Sequence, residues 1–422
     1  MDIFDQLLDP IFMPKIMKVR QHFDKPVIPD VAAEFIAKLQ QRRVLEAIAP
    51  GGRVAIAVGS RGIANQPLLV KLLVQQLQQR GAHPFLVPAM GSHGGATAAG
   101  QRALLLDMGF TEEYIAAPIQ ATMEVVQVGA TDTGLPVNID KYAHEADAIV
   151  IINRIKPHVA FRGEYESGLM KMITIGLGKQ QGAEICHNLG PGKMAENIPA
   201  IARVALQKTK IVFAIGLLEN ADHETCRIEV LPKAEIAQAE PALLAEAHRL
   251  APRLHLERLD VLIIDEIGKD ISGTGLDTNV VGRYHTAYAS GGPQISRIAV
   301  LDLTAKSHGN ANGLGLADFT TRRVFDKLDF AQTYPNALTS TVPLTVKIPM
   351  VLKHDRHAIQ AAIKTCNILN LQDVRLVRIK NTISLSEIEA SENLAAEIRQ
   401  QPNLEIISAP HEFPFDAQGN LF

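Results

Sequence analysis

Two apolar runs, RVAIAVGSRG at residues 53–62 and HPFLVPAMGSHGG at residues 83–95, each end in a glycine-rich turn. The segment between them, residues 67–80, has the leucine spacing of an amphipathic helix. Its apolar face is formed by Leu68, Leu69, Leu72, Leu73 and Leu77. A strand, a helix and a second strand in this order predict a βαβ unit with parallel strands.

The same alternation continues along the chain. Further β-branched runs are typical of strands at residues 147–153, 210–218, 261–265, 297–303 and 374–379. A polar, basic stretch after Pro252 separates two such series. We therefore expect an α/β protein with largely parallel sheets and two α/β domains, residues 1–255 and 256–422. We also expect a cleft between the two domains.

Composition excludes several classes of protein. The 422 residues include 42 basic and 45 acidic side chains, giving a net charge of −3, so the broad positive field of nucleic-acid and membrane-surface proteins is missing. No apolar run approaches the ~18 residues of a membrane span, and residues 1–9 have three Asp and no basic residue, unlike a signal peptide. These observations predict a cytoplasmic protein with a small-molecule partner, and neither a nucleic acid nor a membrane as partner.

The loops that follow the predicted strands contain the polar residues of interest, because ligands of open α/β sheets bind beyond the carboxyl ends of the strands. Ser60 and Arg61 follow the first strand, and Gly91, Ser92 and His93 follow the second. Glycines at such turns allow backbone amides to approach an anion, although similar turns also serve tight packing alone. A histidine flanked by glycines can donate or accept a proton; the alternative is a solvated loop histidine.

Lys171 lies in the otherwise apolar stretch GLMKMITI, residues 168–175. Desolvation would favour its neutral, nucleophilic amine, whereas snorkelling would leave the ammonium in water. His187 follows sixteen positions later and could ligate a borderline metal or be structural. The segment GLGKQQG at residues 176–182 has no Ser or Thr after its lysine, so it is not a Walker motif. Hydrolase motifs such as GxSxG and HExxH are absent from the sequence.

In their order, His93, His158, Lys171 and His187 resemble the nickel-dependent lactate racemase family, and the similarity spans most of residues 50–290. Family members carry the nickel-pincer nucleotide, a pyridinium-3,5-bisthiocarboxylic acid mononucleotide that holds nickel. The resemblance implies that Lys171 tethers this nucleotide, that His187 binds the nickel, and that His93 and His158 alternate as acid and base. It also implies that the other cofactor contacts come from Ser60, Arg61, Gly91 and Ser92. The domain at residues 1–255 would thus bind the cofactor and carry the catalytic residues, and the domain at residues 256–422 would close the active-site cleft.

The implied reaction moves a hydride from the carbon that bears the substrate hydroxyl to the cofactor, leaving a 2-keto intermediate, and returns it to the opposite face. The chain departs from lactate-specific members in the loop after the first strand. Those members have an acidic pair followed by Thr, Arg and Pro, where this chain has GSRGI at residues 59–63. We therefore expect a larger or more polar 2-hydroxy acid than lactate, with Arg61 on its carboxylate. Lys269 or Arg283 would be the extra anion partner.

A second departure lies in the predicted C-terminal domain. Asp277 and Asn279 loosely resemble a family loop that closes on the substrate, but Gly282 stands where a polar side chain is expected.

Three functions remain open at this point. The first is a racemase or epimerase of a 2-hydroxy acid, loaded with its cofactor by separate cofactor-synthesis proteins. The second is an oxidoreductase that uses the same cofactor but releases the keto acid. The third is a non-catalytic protein that binds a nucleotide or a metal. The pair His93 and His158 argues against the third function, since a storage protein needs no paired acid and base.

Overall fold

The computed structural model describes residues 3–422, so Met1 and Asp2 of the N-terminal stretch discussed above lie outside it. The chain forms an α/β fold with largely parallel sheets, as the sequence predicts. It divides into two compact units. The first unit is Lys25–Ala251, and the second combines the N-terminal segment up to Asp24 with Pro252–Phe422.

The secondary structure follows the predicted alternation. The strands are β1 (Ile16–Gln21), β2 (Arg53–Val58), β3 (His83–Pro88), β4 (Val125–Ala130), β5 (Pro136–Asp140), β6 (Ala148–Arg154), β7 (Ile211–Glu219), β8 (Thr225–Pro232), β9 (Arg258–Ile267), β10 (Gln294–Leu303), β11 (Phe319–Thr321), β12 (Met350–Leu352), β13 (Leu376–Ile379), β14 (Glu387–Ser391) and β15 (Leu404–Ile406). The helices are α1 (Ile3–Leu8), α2 (Val31–Arg42), α3 (Gln66–Gln79), α4 (Ala98–Asp107), α5 (Glu112–Ile115), α6 (Lys141–Glu145), α7 (Leu169–Lys171), α8 (Lys179–His187), α9 (Met194–Lys208), α10 (Ile236–Leu250), α11 (Thr278–Val281), α12 (Arg322–Lys327), α13 (Phe330–Ser340), α14 (Asp355–Thr365) and α15 (Ala395–Gln400). Within residues 3–422, no helix is both long and apolar enough to span a bilayer.

The sheet of the first unit has the strand order β3-β2-β6-β7-β8, with β8 as its antiparallel edge. One apolar cluster covers each face of this sheet. Strands buried on both faces read as continuous apolar runs, which is why the sequence reveals β2, β3, β6 and β7 so clearly. A separate antiparallel pair, β4 and β5, lies in the same unit.

The strand order places the predicted functional loops along one edge. Strands β3, β2, β6 and β7 are parallel, so their carboxyl ends, Pro88, Val58, Arg154 and Glu219, lie at the same edge of the sheet. From β2 the chain continues outward to β3 on one side, and it later returns to β6 on the other. The loops after β2 and β6 therefore flank a topological switch point, where open α/β sheets bind ligands.

The sheet of the second unit has the order β12-β11-β10-β9-β13-β14-β1-β15. The strands from β12 to β13 are parallel, whereas β14, β1 and β15 complete the sheet in antiparallel fashion. Two apolar clusters pack against this sheet.

The structure departs from the expected division of the chain at the N-terminus. The described N-terminal segment up to Asp24 belongs to the second unit, and the boundary between the units falls at Pro252. The physical reason is strand pairing, since β1 is hydrogen-bonded to both β14 and β15. A cleft between the two domains stays a prediction.

This pairing makes β1 important for the stability of the second unit. Ile16 is fully buried in β1. We expect Ile16→Ala to lower the free energy of unfolding by about 2–5 kcal/mol, because it leaves a cavity in the core. Arg20→Ala in the same strand is the control, since this side chain is 45% exposed and forms only surface ion pairs, worth less than about 1 kcal/mol. Equal urea midpoints for the two variants would contradict a buried, paired β1.

Candidate active site

The loop after β3 holds His93 beside the loop after β2. Gly91 has a φ of +58°, which favours glycine, and its amide donates to the carbonyl of Gly176 at 3.3 Å. Ser60 Oγ and His93 Nδ1 are hydrogen-bonded. The side-chain amide of Gln101 donates to the carbonyls of Gly91 at 2.9 Å and His93 at 3.1 Å. The histidine is therefore fixed through both its backbone and its ring, and the half-buried Ser92 lies in the same loop.

His158 lies in the loop after β6, and hydrogen bonds hold both its backbone amide and its backbone carbonyl. Its amide donates to buried Glu166 Oε2 at 2.5 Å, and its carbonyl accepts from Arg162 at 2.6 Å. The ring packs on Phe161, with 4.3 Å between the ring centroids. Nδ1 accepts from the amide of Ala160 at 3.1 Å. Because Nδ1 accepts a hydrogen bond, the neutral ring has its proton on Nε2 and presents an N–H there.

Lys171 ends the short helix α7, which continues directly as a π-helical turn, Met172–Gly176. The helix start is fixed by Glu240, which accepts from the amide of Met170 at 2.9 Å. Burial lowers the pKa of Lys171 to about 8, and the neighbouring cations Arg61 and Lys156 act in the same direction. A lowered pKa enlarges the fraction of neutral amine near pH 7, which is the nucleophilic form. The residue is half-buried, and its lowered pKa favours the desolvated amine among the two alternatives for Lys171.

His187 lies at the other end of the same helical region, as the last residue of α8. Burial and the nearby charge of Lys171 lower the pKa of His187 to about 4. The ring is therefore neutral at pH 7, which is the form that ligates metals. Its neighbour Cys186 is buried against Met194, with 3.6 Å between the sulfur atoms, and burial raises the pKa of its thiol to about 12. Of these two side chains, only His187 is in its metal-binding protonation state at neutral pH.

Several cationic side chains lie at the carboxyl ends of the parallel strands of the first unit. Arg154 forms an ion pair with Glu219 at the end of β7, and Glu219 also accepts from the amide of Ala64 at 2.8 Å. Burial lowers the pKa of Arg61, and the positive charge of Arg154 lowers it further. With Lys171 and Lys156, these arginines produce a positive potential where the strands end. Such an edge favours anionic ligands.

The segment at residues 176–182 starts helix α8 and is not an open loop. Lys179, its lysine, is fully buried and donates to the carbonyl of Pro88 at 2.7 Å and to Gln101 Oε1 at 2.5 Å. Its ammonium is therefore hydrogen-bonded to groups inside the protein. Sequence reasoning missed Gln101, because a glutamine in an amphipathic helix has no signal that separates it from a surface residue.

Lys269, Arg283 and Gly282 lie in the second unit. The ammonium of Lys269 donates to the carbonyl of Gly273 at 2.6 Å. Arg283 pairs with Asp318 at 2.7 Å and donates to three carbonyls, those of Ile295, Ser296 and Leu316. Gly282 has a φ of +62°, and a Cβ there would lie 1.9 Å from the carbonyl oxygen of Pro293. The backbone thus accounts for the glycine where a polar side chain is expected.

The structure brings most of the predicted first-unit residues together in two groups. Ser60 and His93 form one through their hydrogen bond. The other surrounds Lys171, whose charge interacts with those of Arg61, Lys156 and His187. Glu166 links His158 to this second group, since it binds the His158 amide and also interacts with Lys171.

Comparison with known proteins agrees with this geometry. Residues 18–196 match the family model of the lactate racemase N-terminal domain. This match covers fewer than half of the 422 residues, and over this region the chain is similar to that domain. The matched residues include Ser60, His93, His158, Lys171 and His187. No curated protein matches the sequence.

The fold is also shared with a solved structure, the lactate racemase apoprotein from Thermoanaerobacterium thermosaccharolyticum. The TM-score is 0.54 at 14% sequence identity, and the match covers 88% of this chain and 99% of that one. At this identity the likeness shows the common fold.

The Arg154–Glu219 ion pair gives a testable pH dependence. Although burial opposes ionisation of Glu219, hydrogen bonds from His223, Arg154 and the Ala64 amide lower its pKa to about 2. A carboxyl with a lowered folded-state pKa adds stability above its unfolded pKa of about 4.3, and that stability is lost as pH falls towards 2. We expect Glu219→Gln to lower the free energy of unfolding by about 3 kcal/mol at pH 7, because it leaves Arg154 unpaired. The free energy of unfolding of the variant should also depend less on pH in the acidic range.

Urea unfolding between pH 2 and pH 7 measures both effects. Glu196→Gln is the matched control. The Glu196 side chain is 66% exposed, and its ion pair with Lys193 lies on the surface and is worth less than about 1 kcal/mol. If the free energy of unfolding fell with pH in Glu219→Gln as it does in the wild type, the lowered pKa of Glu219 would not be the cause.

Proposed function

We propose that the protein is a racemase or epimerase of a 2-hydroxy acid that works by reversible hydride transfer to a nickel-pincer nucleotide tethered to Lys171. The observation that carries the proposal is the electrostatic interaction between Lys171 and His187. Lys171 has a pKa near 8 and His187 has a pKa near 4, and both lie in the region that is similar to the lactate racemase N-terminal domain. The first is suited to covalent attachment, and the second to metal ligation.

The chemistry of the surrounding residues fits this cofactor. A mononucleotide with a phosphate and two thiocarboxylate groups is anionic, and the edge beside Lys171 is rich in cations. Lys171 would hold the nucleotide covalently, His187 would bind the nickel, and Ser60, Arg61, Gly91 and Ser92 would make further contacts. When bound, the cofactor supplies the acceptor and donor of the hydride.

The two remaining histidines would manage the hydroxyl proton. In the tautomer in which His93 donates from Nδ1–H to Ser60, Nε2 of that ring would take the proton from the substrate hydroxyl. His158 would supply a proton from Nε2 on the opposite side as an imidazolium, protonated at Nδ1 as well, which requires the ring to release the Ala160 amide. In the reverse direction the roles exchange, and the neutral His158 ring, with its proton on Nδ1, would accept at Nε2.

Arg61 would bind the substrate carboxylate through its planar guanidinium. The Arg283 guanidinium already bonds Asp318 and three carbonyls, which disfavours it as a second anion partner for a larger or more polar acid. In a screen of 2-hydroxy acids, we expect a substrate other than lactate to react fastest and Arg61→Ala to raise its KM. Preferred turnover of lactate, with no effect of Arg61→Ala, would contradict this specificity.

The central experiment is the intact mass and nickel content of protein made in cells that contain nickel and the cofactor-synthesis proteins. We expect a nucleotide-sized adduct with stoichiometric nickel, followed by interconversion of the two enantiomers of a 2-hydroxy acid. Release of a keto acid instead would identify an oxidoreductase. Absence of both adduct and nickel, while a known lactate racemase loads in the same cells, would favour a non-catalytic binding protein.

A further inference from the structure

A buried polar network lies behind the His93 loop. It consists of Asp140, Gln101 and Lys179, and all three side chains are fully buried. The Lys179 ammonium donates to Gln101 Oε1 at 2.5 Å and to the carbonyl of Pro88 at 2.7 Å, and it lies 3.4 Å from Asp140 Oδ2. Four separate segments of the first unit therefore converge on one ammonium group.

Lys179 dictates which way the Gln101 amide faces. An ammonium group donates hydrogen bonds and cannot accept them, so the oxygen of the Gln101 amide must point towards Lys179. The amide nitrogen then points to the other side, where it donates to the carbonyls of Gly91 and His93. Through this one amide, Lys179 is connected to the His93 backbone.

The network also connects the two halves of the candidate site. Lys179 is the first residue of helix α8, and His187 is the last. Gln101 belongs to helix α4, which follows the His93 loop, and Pro88 ends strand β3, which precedes it. The ammonium of Lys179 is thus the direct polar link between the His187 helix and the segments on either side of His93.

Stability alone does not account for this arrangement. A buried ion pair is often no more stabilising than apolar residues of the same volume, because both charges lose their hydration. Asp140 Oδ2 makes no hydrogen bond among the described residues, and Lys179 adopts a φ of +57°, which is unfavourable for a residue with a side chain. These costs are typical of a geometry that is kept for a reason other than stability.

We propose that Asp140, Lys179 and Gln101 form a positioning network that sets the place of His93 relative to Lys171 and His187. The inference rests on the proposed function, because it assigns the network to the same reaction. None of the three residues would touch the substrate or the cofactor. They would act through the His93 loop, where a displacement of about 1 Å can cost about 100-fold in rate.

The test uses two variants of the full chain and one control. Gln101→Leu removes every hydrogen bond of the amide, and Gln101→Glu keeps the acceptor for Lys179 but loses the donors to Gly91 and His93. Arg102→Ala is the control, because this neighbouring residue of α4 forms an exposed ion pair with Glu112. The first readout is the NMR titration of the His93 ring in unloaded protein, assigned with His93→Gln. The second is kcat and KM of the loaded enzyme.

We expect both Gln101 variants to change the chemical shifts and the titration midpoint of His93, and to lower kcat by about 100-fold with little change in KM. Arg102→Ala should leave both readouts unchanged. If Gln101→Glu folds and leaves the His93 titration and kcat as in the wild type, the network is only structural. The NMR readout needs no turnover, so a chain that lacks racemase activity would overturn the proposed function without deciding the fate of the network.

Discussion

Replacing Lys171 with arginine is expected to abolish the nucleotide-sized mass adduct and to reduce turnover to background. Arginine keeps the positive charge and much of the length of the side chain, but its guanidinium stays protonated and is no nucleophile at neutral pH. The variant therefore separates a covalent role of Lys171 from a role of its charge. The physical basis is the burial that lowers the pKa of this lysine to about 8.

Intact mass spectrometry with nickel analysis measures the result for Lys171→Arg. The control is Lys193→Arg, a side chain that is 52% exposed and pairs with Glu196 on the surface. The control should load and turn over as the wild type does. A full adduct in Lys171→Arg would show that another residue carries the cofactor, and the proposed function would then lose its central observation.

His93→Gln and His158→Gln are each expected to lower kcat for racemisation by about 10²–10⁴-fold, because either direction needs both a base and an acid. Groups that act as one unit have non-additive effects, so the double variant should be scarcely slower than either single variant. His83→Gln is the control, since His83 is exposed at the start of β3, opposite the end that leads to His93. Chiral chromatography of the product follows the rate.

The same reaction in D₂O tests how the carbon is inverted. Hydride transfer returns the original hydrogen to the carbon, so the product should contain no deuterium there. Deuterium at that carbon would indicate proton abstraction from it, and His93 and His158 would then act on carbon instead of oxygen.

The sequence predicted the parts of the fold that depend on local pattern. Strands β2, β3, β6 and β7 are buried on both faces, and their continuous apolar runs were visible without any partner. Strand β1 was missed because its residues alternate between buried and exposed and its partners β14 and β15 lie at the far end of the chain. Pairing over such a distance leaves no periodicity that a local reading can use.

The candidate site could also be predicted only where local sequence pattern indicates it. The loops of Ser60 and His93 were predictable, because residues after parallel strands gather at one edge. Gln101 and Lys179 were not, since their importance arises from burial and from the direction of their hydrogen bonds. The segment of Lys179 was examined as a possible Walker motif, and its sequence does not indicate that the ammonium is enclosed by Pro88, Gln101 and Asp140.

The place of β1 in the second-unit sheet has a consequence for synthesis. The ribosome makes β1 before its partners β14 and β15. This strand therefore stays unpaired for a time on the order of tens of seconds, while the residues between them are translated. The first unit is complete in sequence long before that, and it can fold during the wait. Until its partners are made, β1 presents an apolar face and unpaired amides, which are the groups through which a strand can pair with another chain.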